Sequence, residues 1–293
     1  MDIHKKDIQD YIISNFDIYK ESSITLYTDL YGIYQINNDD NNSKYLIQKL
    51  ADFILNECKI NDKKYNRRRR VLNDLKKLKL PDQRTPEWYA LRKKILTASS
   101  LGTAIGKCHF QSREELLYSK IEDGPYIGNE ITEWGVKYED VAIQFYEELY
   151  NVKVLDFGLI PHPEFTIFGA SPDGICDDTG NLDYIGRMVE IKCPPKRKFT
   201  KSVPEHYGMQ VQGQLEVCDL DECDFLQVKL EEYENYQDYC NDNFEIDGSI
   251  LPGRTKLNYP KGVTITYKIN DKLSYHYCKL NQTVHAHLSV DRN

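Results

Sequence analysis

Two short acidic motifs lie close together in the sequence and carry residue types suited to metal-assisted chemistry. The first is Ser-Pro-Asp-Gly at residues 171–174, and the second is Glu-Ile-Lys at residues 190–192. Side chains alternate between faces along a β-strand, so Glu190 and Lys192 would point to one side while the isoleucine between them points into the core. A turn between the two segments would bring Asp173 beside Glu190. Two carboxylates and one ammonium would then share a cleft.

Two carboxylates a few ångströms apart repel each other, and a hard divalent cation with oxygen ligands removes that cost. We expect Mg²⁺, with Mn²⁺ as a substitute, held by Asp173, Glu190 and the backbone carbonyl of Ile191. Lys192 would hold the attacking water or help to deprotonate it, and the metal would stabilise charge on a phosphodiester. The alternative is a surface Glu-Lys pair and an ordinary Pro-Asp-Gly turn, each of which is common.

The N-terminal part of the chain has a different character from the part that carries these motifs. Residues 1–80 show apolar positions at helical spacing. A basic run at residues 63–70 is typical of a solvated helix face or a linker, with nuclear import or DNA contact as the alternative. Prolines at residues 81 and 86 mark a boundary, because proline disfavours helix at its own position and just before it. We predict a helical region with a basic linker at residues 1–80 and a second domain at residues 81–293.

The second domain alternates between helical and strand patterns. Helices are expected from Pro86, after the hydroxyl residues 97–100 as caps, and over residues 129–150 and 207–217. Strands are expected at residues 152–160, 165–175 and 188–192, as a meander, and at residues 225–230, with a hairpin at residues 263–269 and 273–280 around Asn270-Asp271. This order predicts an α/β (α+β) fold with a central mixed β-sheet flanked by helices.

The helix predicted at residues 207–217 presents polar side chains along one stripe. Tyr207, Gln210 and Gln214 stand at positions i, i+3 and i+7, while apolar residues form another stripe that can bury against the sheet. The glutamines are then free to face the cleft. The alternative is a row of solvent-exposed amides, and for Gln212 and Gln214 the two interpretations stay evenly balanced.

The charges are segregated along the chain. The net charge of −8 argues at first against a nucleic-acid partner. However, residues 219–247 hold eleven acidic residues against Lys229 alone, whereas residues 59–79 hold ten basic residues against two acidic ones. The basic part of the chain would therefore suit a phosphate backbone.

Cysteine spacing and hydropathy indicate the compartment. The eight cysteines form no C-x-x-C pair, which favours free thiols and argues against a structural zinc site. No run of eighteen apolar residues exists, and residues 1–6 lack the apolar stretch of a secretory signal. We expect no membrane association and an intracellular, reducing compartment such as the cytoplasm or nucleus.

Five ordered blocks within residues 84–230 resemble the lambda-exonuclease-like, or YqaJ-type, viral recombinase nucleases of the PD-(D/E)xK superfamily. They lie at residues 84–99, 134–140, 171–174 (Ser-Pro-Asp-Gly), 190–194 (Glu-Ile-Lys-Cys-Pro) and 206–215. The resemblance implies a restriction-endonuclease-like core and a viral replication site as a further location.

The resemblance also implies roles for individual residues. In addition to Asp173, Glu190 and Lys192, the glutamate that reaches the metal site falls on Glu139, and the active-site glutamine falls on Gln210. The arginine and serine that grip a DNA 5′-phosphate fall on Arg92 and Ser99. For Arg92, the alternative is an ion pair with Glu87 on its own helix.

We therefore expect a magnesium-dependent 5′→3′ exonuclease on double-stranded DNA ends that leaves 3′ single strands for recombination or repair. The resemblance implies a single-strand annealing protein as partner and allows a homo-oligomer. The alternatives are an endonuclease or RNA-degrading nuclease on the same scaffold, or a non-catalytic DNA-binding module. An intact acid pair with Lys192 argues against the last, because a binding module has no need for it.

Overall fold

The computed structural model describes residues 5–20, 22–122, 129–196, 198–199, 201–251, 253–269 and 272–278. The chain divides into two compact units, Met1–Arg70 and Val71–Asn293, and each is described by itself. The predicted domain division near residue 81 stays a prediction.

The first unit is helical, as the apolar spacing predicted. Its helices are α1 (Lys5–Ser14), α2 (Phe16–Tyr19), α3 (Ser23–Ile33) and the part of α4 (Asn41–Lys76) up to Arg70. Buried aliphatic side chains and one tyrosine form its core: Ile8, Ile12, Tyr19, Leu26, Leu30, Ile47, Ala51, Ile54 and Leu55. The basic run at residues 63–70 lies within α4, so these residues are helical.

The second unit contains the helices predicted at Pro86 and at residues 129–150 and 207–217. After the end of α4 come α5 (Pro86–Lys94), α6 (Leu101–Ala104), α7 (Arg113–Ile121), α8 (Glu130–Tyr150), α9 (Glu205–Cys218) and α10 (Tyr236–Asn241). Local capping explains where two of them begin. The Thr85 hydroxyl accepts the Trp88 N–H at the start of α5, and Asn129 and Thr132 cap each other at the start of α8.

The strands of the second unit form mixed sheets. They are β1 (Leu96–Thr97), β2 (Val152–Leu155), β3 (Ile160–Pro161), β4 (Phe168–Ala170), β5 (Gly174–Gly180), β6 (Met188–Lys192), β7 (Cys223–Gln227), β8 (Phe244–Ile246), β9 (Ser249–Leu251), β10 (Thr264–Ile269) and β11 (Lys272–Tyr277). A four-stranded sheet has the order β2-β5-β6-β7, in which only the β6–β7 pair is parallel. A second sheet has the order β1-β4-β3. The predicted fold class is confirmed.

Two of the predicted strands are wrong as single strands. Residues 152–160 divide into β2 and β3, and residues 165–175 divide into β4 and the start of β5, so each run contributes to both sheets. The first run is interrupted at residues 156–159, where an added Cβ at Gly158 would lie 2.1 Å from the carbonyl oxygen of Pro81. The second is interrupted at Pro172, which has no N–H to donate to a strand partner. The observed meander consists of β2, β5 and β6, which are antiparallel neighbours.

The hydroxyl groups predicted as caps at residues 97–100 do not cap a helix. Neither Thr97, before the 3₁₀ turn Ala98–Ser100, nor Ser100, before α6, makes a side-chain capping hydrogen bond. The Thr97 hydroxyl lies 3.1 Å from that of Ser99 and 3.2 Å from that of Ser100. These hydroxyl groups therefore form hydrogen bonds with one another.

Helix α9 packs very closely against neighbouring elements through two glycines. An added Cβ at Gly213 would lie 3.0 Å from the Phe168 ring, and one at Gly102 of α6 would lie 2.9 Å from the Cβ of His206. Larger residues at either position would push α9 away from β4 and α6. The polar side chains of α9 are thus held at a fixed depth over the sheet.

The predicted C-terminal hairpin is confirmed for its strands, β10 and β11. Its turn, Asn270-Asp271, and its last predicted residues, 279–280, lie outside the described residues. The Tyr277 hydroxyl donates to the carbonyl oxygen of Lys137 at 2.6 Å, which ties the hairpin to α8.

All eight cysteines are free thiols, as the spacing predicted. Cys193, which follows the Glu-Ile-Lys motif, is buried in the core between α8 and the four-stranded sheet. Among the described residues, no helix is both long and apolar enough to cross a membrane.

Candidate active site

Glu190 lies in the middle of β6 and is completely buried, with 0% of its side chain exposed. Lys192 and Gln210 both donate hydrogen bonds to its Oε1, the second at 2.7 Å, and Gln214 donates to its Oε2 at 2.8 Å. A buried carboxylate is costly unless it is paired and hydrogen-bonded. The sheet and α9 together meet that requirement, since β6 supplies the cation and α9 supplies both amides.

Strand β5 pairs with β6 in antiparallel register with Gly174 opposite Val189, so Asp173, directly before β5, lies beside Glu190, as the sequence predicted. Its Oδ2 accepts a hydrogen bond from the backbone N–H of Ile191 at 2.7 Å. Burial, together with repulsion by Glu190 and Glu139, raises the pKa of Asp173 well above its ordinary value, although Lys192 opposes the shift. The carboxylates therefore interact strongly in this state of the protein.

Glu139 projects from α8 toward the same site and forms an ion pair with Arg84. The Arg84 Nη2 atom lies 2.7 Å from the Glu139 Oε1. Burial raises the pKa of Glu139, and the guanidinium of Arg84 only partly offsets this effect. The structure thus brings Glu139, Asp173, Glu190 and Lys192 into one electrostatically coupled group.

Lys192 is positively charged in this arrangement. Burial disfavours its ammonium form, but attraction to Glu190 and then Asp173 outweighs that effect and raises the pKa of Lys192 above its ordinary value. Its Nζ atom also lies 5.0 Å from the centre of the Tyr207 ring, a cation–π distance. The ammonium is consequently a fixed positive charge beside the carboxylates.

The donor types at this site, carboxylates and a backbone carbonyl, are those that a hard divalent cation prefers. A carboxylate has about four acceptor positions, and the protein uses three of those on Glu190. The N–H and C=O of one strand residue point to the same side, so the Ile191 carbonyl faces the Asp173 side of β6. Within the described residues, however, no three Asp, Glu, His or Cys side chains converge closely enough to hold a metal ion. The carboxylates are turned instead toward their protein donors.

Arg92 and Ser99 form a second polar group together with Lys120, a residue that the sequence analysis did not single out. The Arg92 Nη2 donates to the Ser99 Oγ at 3.2 Å, and the guanidinium stacks 4.4 Å from the centre of the Trp88 ring. The Lys120 Nζ donates to the carbonyl oxygen of Arg92 at 2.7 Å. The Trp88 Nε1 donates to the Ser171 Oγ at 3.1 Å, which connects this group to the segment that carries Asp173.

Three residues of this arrangement were missed or left open. Gln214 is buried and bonds to Glu190, so it faces the site. Gln212 is a solvent-exposed amide. The i, i+7 spacing from Tyr207 was the signal for Gln214. Arg84 and Lys120 carried no comparable signal, because their contacts with α8 and α5 join residues far apart in the chain.

We predict that Lys192→Met destabilises the protein by about 3–5 kcal/mol, because it leaves the Glu190 carboxylate buried without its cation. Guanidinium denaturation followed by circular dichroism measures the free energy of unfolding. The double variant Glu190→Gln/Lys192→Met should recover part of the loss. Lys77→Met is the matched control, since Lys77 pairs with Asp74 at the exposed surface, and it should change little. An equally small change in Lys192→Met would contradict the prediction.

A second prediction concerns pH. Burial, with a contribution from Arg92, lowers the pKa of Lys120 from 10.5 to about 8. The folded protein therefore loses this proton before the unfolded chain does, and its stability gains between pH 8 and pH 10.5. The free energy of unfolding of wild type, relative to Lys120→Met, should be lowest below pH 8 and rise toward pH 10. A constant difference, measured by urea denaturation at several pH values, would refute the burial of this charge.

Two viral proteins are similar in sequence to this chain. Over 221 residues the chain is 35% identical to an uncharacterised protein of Acanthamoeba polyphaga mimivirus, covering 71% of this chain and 39% of that protein. Over 160 residues it is 28% identical to a protein of African swine fever virus, covering 46% of each. The chain thus spans about two fifths to one half of the length of these viral relatives.

Among solved structures, similarity extends to an alkaline exonuclease, LHK-Exo, from Laribacter hongkongensis. The identity is 29%, the TM-score is 0.40, and the match covers 50% of this chain and 74% of that one. A crystal structure of LHK-Exo with dAMP gives 30% identity and a TM-score of 0.39 over 49% of this chain and 73% of that one. A family model described as the YqaJ-like viral recombinase domain matches residues 87–221, which run from the second residue of α5 to just past the end of α9 and contain the site residues described above except Arg84. Residues 87–221 of this chain form a YqaJ-like viral recombinase domain.

Proposed function

We propose that this chain is a metal-dependent nuclease that hydrolyses phosphodiester bonds in double-stranded DNA from a 5′ end. The observation that carries the proposal is the buried Glu190, which faces Asp173 and is held by Lys192, Gln210 and Gln214. Burying a carboxylate next to another carboxylate opposes stability, so a structural role alone is a poor explanation for it. The YqaJ-like domain over the same residues supports the same reaction.

Each polar residue has a role in this proposal. Asp173, Glu190, the Ile191 carbonyl and Glu139 would hold the cation, which we take to be Mg²⁺ with Mn²⁺ as a substitute. The metal would screen the phosphodiester and stabilise charge on the leaving oxygen.

The remaining residues position the ligands and the water. Gln210 and Gln214 fix the orientation of the Glu190 carboxylate by donating to both of its oxygens. Lys192 holds the attacking water near the scissile bond with its fixed positive charge. Arg84 orients Glu139 through their ion pair.

Arg92 and Ser99 would recognise the terminal 5′-phosphate. A guanidinium offers a planar fork of donors that binds a phosphate bidentately, and the Ser99 hydroxyl adds another donor beside it. Lys120 supplies a further positive charge from α7. Together they recognise a feature that only a strand end possesses, which favours an exonuclease over an endonuclease.

The direction of digestion implies the biological setting. Removal of one strand from its 5′ end leaves a 3′ single strand, which suits recombination or repair with a single-strand annealing protein as partner. We expect action in an intracellular, reducing compartment, including a viral replication site, because eight free thiols would not persist under oxidising conditions. A homo-oligomer remains part of the proposal.

We predict that Glu190→Gln abolishes cleavage of end-labelled linear duplex, lowering the rate by at least about a thousandfold. This change keeps the size of the side chain and removes its charge. Activity should require Mg²⁺ or Mn²⁺, while Ca²⁺ should bind without supporting turnover. Asp177→Asn is the matched control, because Asp177 lies on the neighbouring strand β5 and pairs with Lys76, so it should be dispensable. Activity that resists a chelator, or that survives in Glu190→Gln, would place the chemistry elsewhere.

We predict that linear duplex with a 5′-phosphate is degraded about ten- to a hundredfold faster than duplex with a 5′-hydroxyl, the effect of one charge-assisted contact. Arg92→Ala should erase that difference without abolishing cleavage. Lys94→Ala, an exposed lysine in the same last turn of α5, is the control and should retain the difference. Closed circular DNA and RNA are digested in parallel. Equal rates on both linear substrates together with rapid cutting of circles would favour an endonuclease, and preferential digestion of RNA would favour a ribonuclease.

A further inference from the structure

A row of aromatic rings leads from the protein surface to the catalytic lysine. It begins at Phe110, which lies in the loop between α6 and α7 and is 79% exposed. The Phe110 ring meets the His206 ring edge-on, with centroids 5.6 Å apart, and the His206 ring lies 4.1 Å from that of Tyr207. The Lys192 Nζ lies 5.0 Å from the centre of the Tyr207 ring. We call Phe110, His206 and Tyr207 the aromatic row.

The position of the aromatic row is fixed by the fold. His206 and Tyr207 belong to the first turn of α9, and the close contact of Gly102 with His206 holds that turn against α6. The loop that carries Phe110 follows α6 directly and ends at Ser112, whose side chain caps α7. Both ends of the row are therefore anchored to helices that also position the site.

Exposure of the outer ring needs a reason beyond packing. Burial stabilises a large apolar side chain, and Phe110 forgoes most of that gain. Single exposed apolar residues are common, but this one continues through two half-buried rings to the site of proposed cleavage. Basic side chains also flank the loop. Lys107 lies on it and forms an exposed ion pair with Glu205 at 3.2 Å, and the guanidinium of Arg113 lies against Gly106.

We infer that the aromatic row binds unpaired nucleobases of a DNA strand, with Phe110 as the outer stacking surface. Every nucleobase has a flat π-face, so stacking on an aromatic side chain tolerates any sequence. The flanking basic groups suit a phosphate backbone. The inference rests on the proposed function for the identity of the polymer, and it adds a single-strand binding surface beside the cleavage site.

The experiment measures equilibrium binding of the full chain to a fluorescently labelled thymidine oligonucleotide, with a chelator present so that no turnover occurs. Phe110→Ala should weaken binding by about five- to a hundredfold, and Phe110→Trp should retain the wild-type affinity. An oligonucleotide of the same length made of abasic residues removes the bases but keeps the phosphates. Wild type and Phe110→Ala should bind this abasic strand equally.

Phe165→Ala is the matched control. Phe165 is also a strongly exposed phenylalanine, with 61% of its surface accessible, and its ring also contacts a histidine, His162, at 4.8 Å. That histidine lies near Glu216, in the last turn of α9, whereas His206 lies in the first. Phe165→Ala should therefore bind the thymidine oligonucleotide like wild type.

Each outcome decides the inference separately from the proposed function. Unchanged binding by Phe110→Ala, or equal weakening on the thymidine and abasic strands, would overturn the aromatic row as a base-binding surface even if the protein cleaves DNA. Base-dependent weakening in Phe110→Ala alone would support it even if Glu190→Gln shows that cleavage resides elsewhere. Circular dichroism of the variants verifies that the exposed substitutions leave the fold intact.

Discussion

The burial of the Glu190 carboxylate is the constraint on which the rest of the second unit depends. A charge in the middle of a central strand must receive hydrogen bonds from every direction that the sheet leaves open. Lys192 meets part of this requirement from the same strand, and Gln210 and Gln214 meet the rest from α9. Helix α9 must consequently pack tightly against its neighbours, which explains the close contact at Gly213.

The charges at this site do not form a set of simple ion pairs. Asp173, Glu139 and Glu190 repel one another, and the positive charges of Lys192 and Arg84 reduce this repulsion without removing it. Such a group favours any ligand that brings further positive charge and accepts oxygen donors. The strain is electrostatic, so cation binding and the stability of the folded unit should be thermodynamically linked.

The sequence predicted the parts of this site that depend on local patterns. Strand alternation placed Glu190 and Lys192 on one face, the proline at residue 86 located α5, and helical spacing located α8 and α9. The strand boundaries at residues 152–175 were wrong, because the chain crosses between sheets where Gly158 and Pro172 interrupt the pairing. Contacts between distant segments, such as Arg84 with Glu139, could not be predicted, because local sequence patterns do not indicate which loop contacts which helix.

The loop before α5 shows how such distant contacts couple the two polar groups. Arg84 adopts a left-handed backbone conformation with φ of 65°, which costs a residue with a Cβ roughly 1–2 kcal/mol. The neighbouring Gln83 offsets that cost, since its Nε2 lies within 3.2 Å of the carbonyl oxygens of Phe157 and Pro172 and of a carboxylate oxygen. Pro172 precedes Asp173, whereas α5, which carries Arg92, starts two residues after Arg84. This strained loop therefore connects the proposed 5′-phosphate site to the proposed cleavage site, in addition to the hydrogen bond between Trp88 and Ser171.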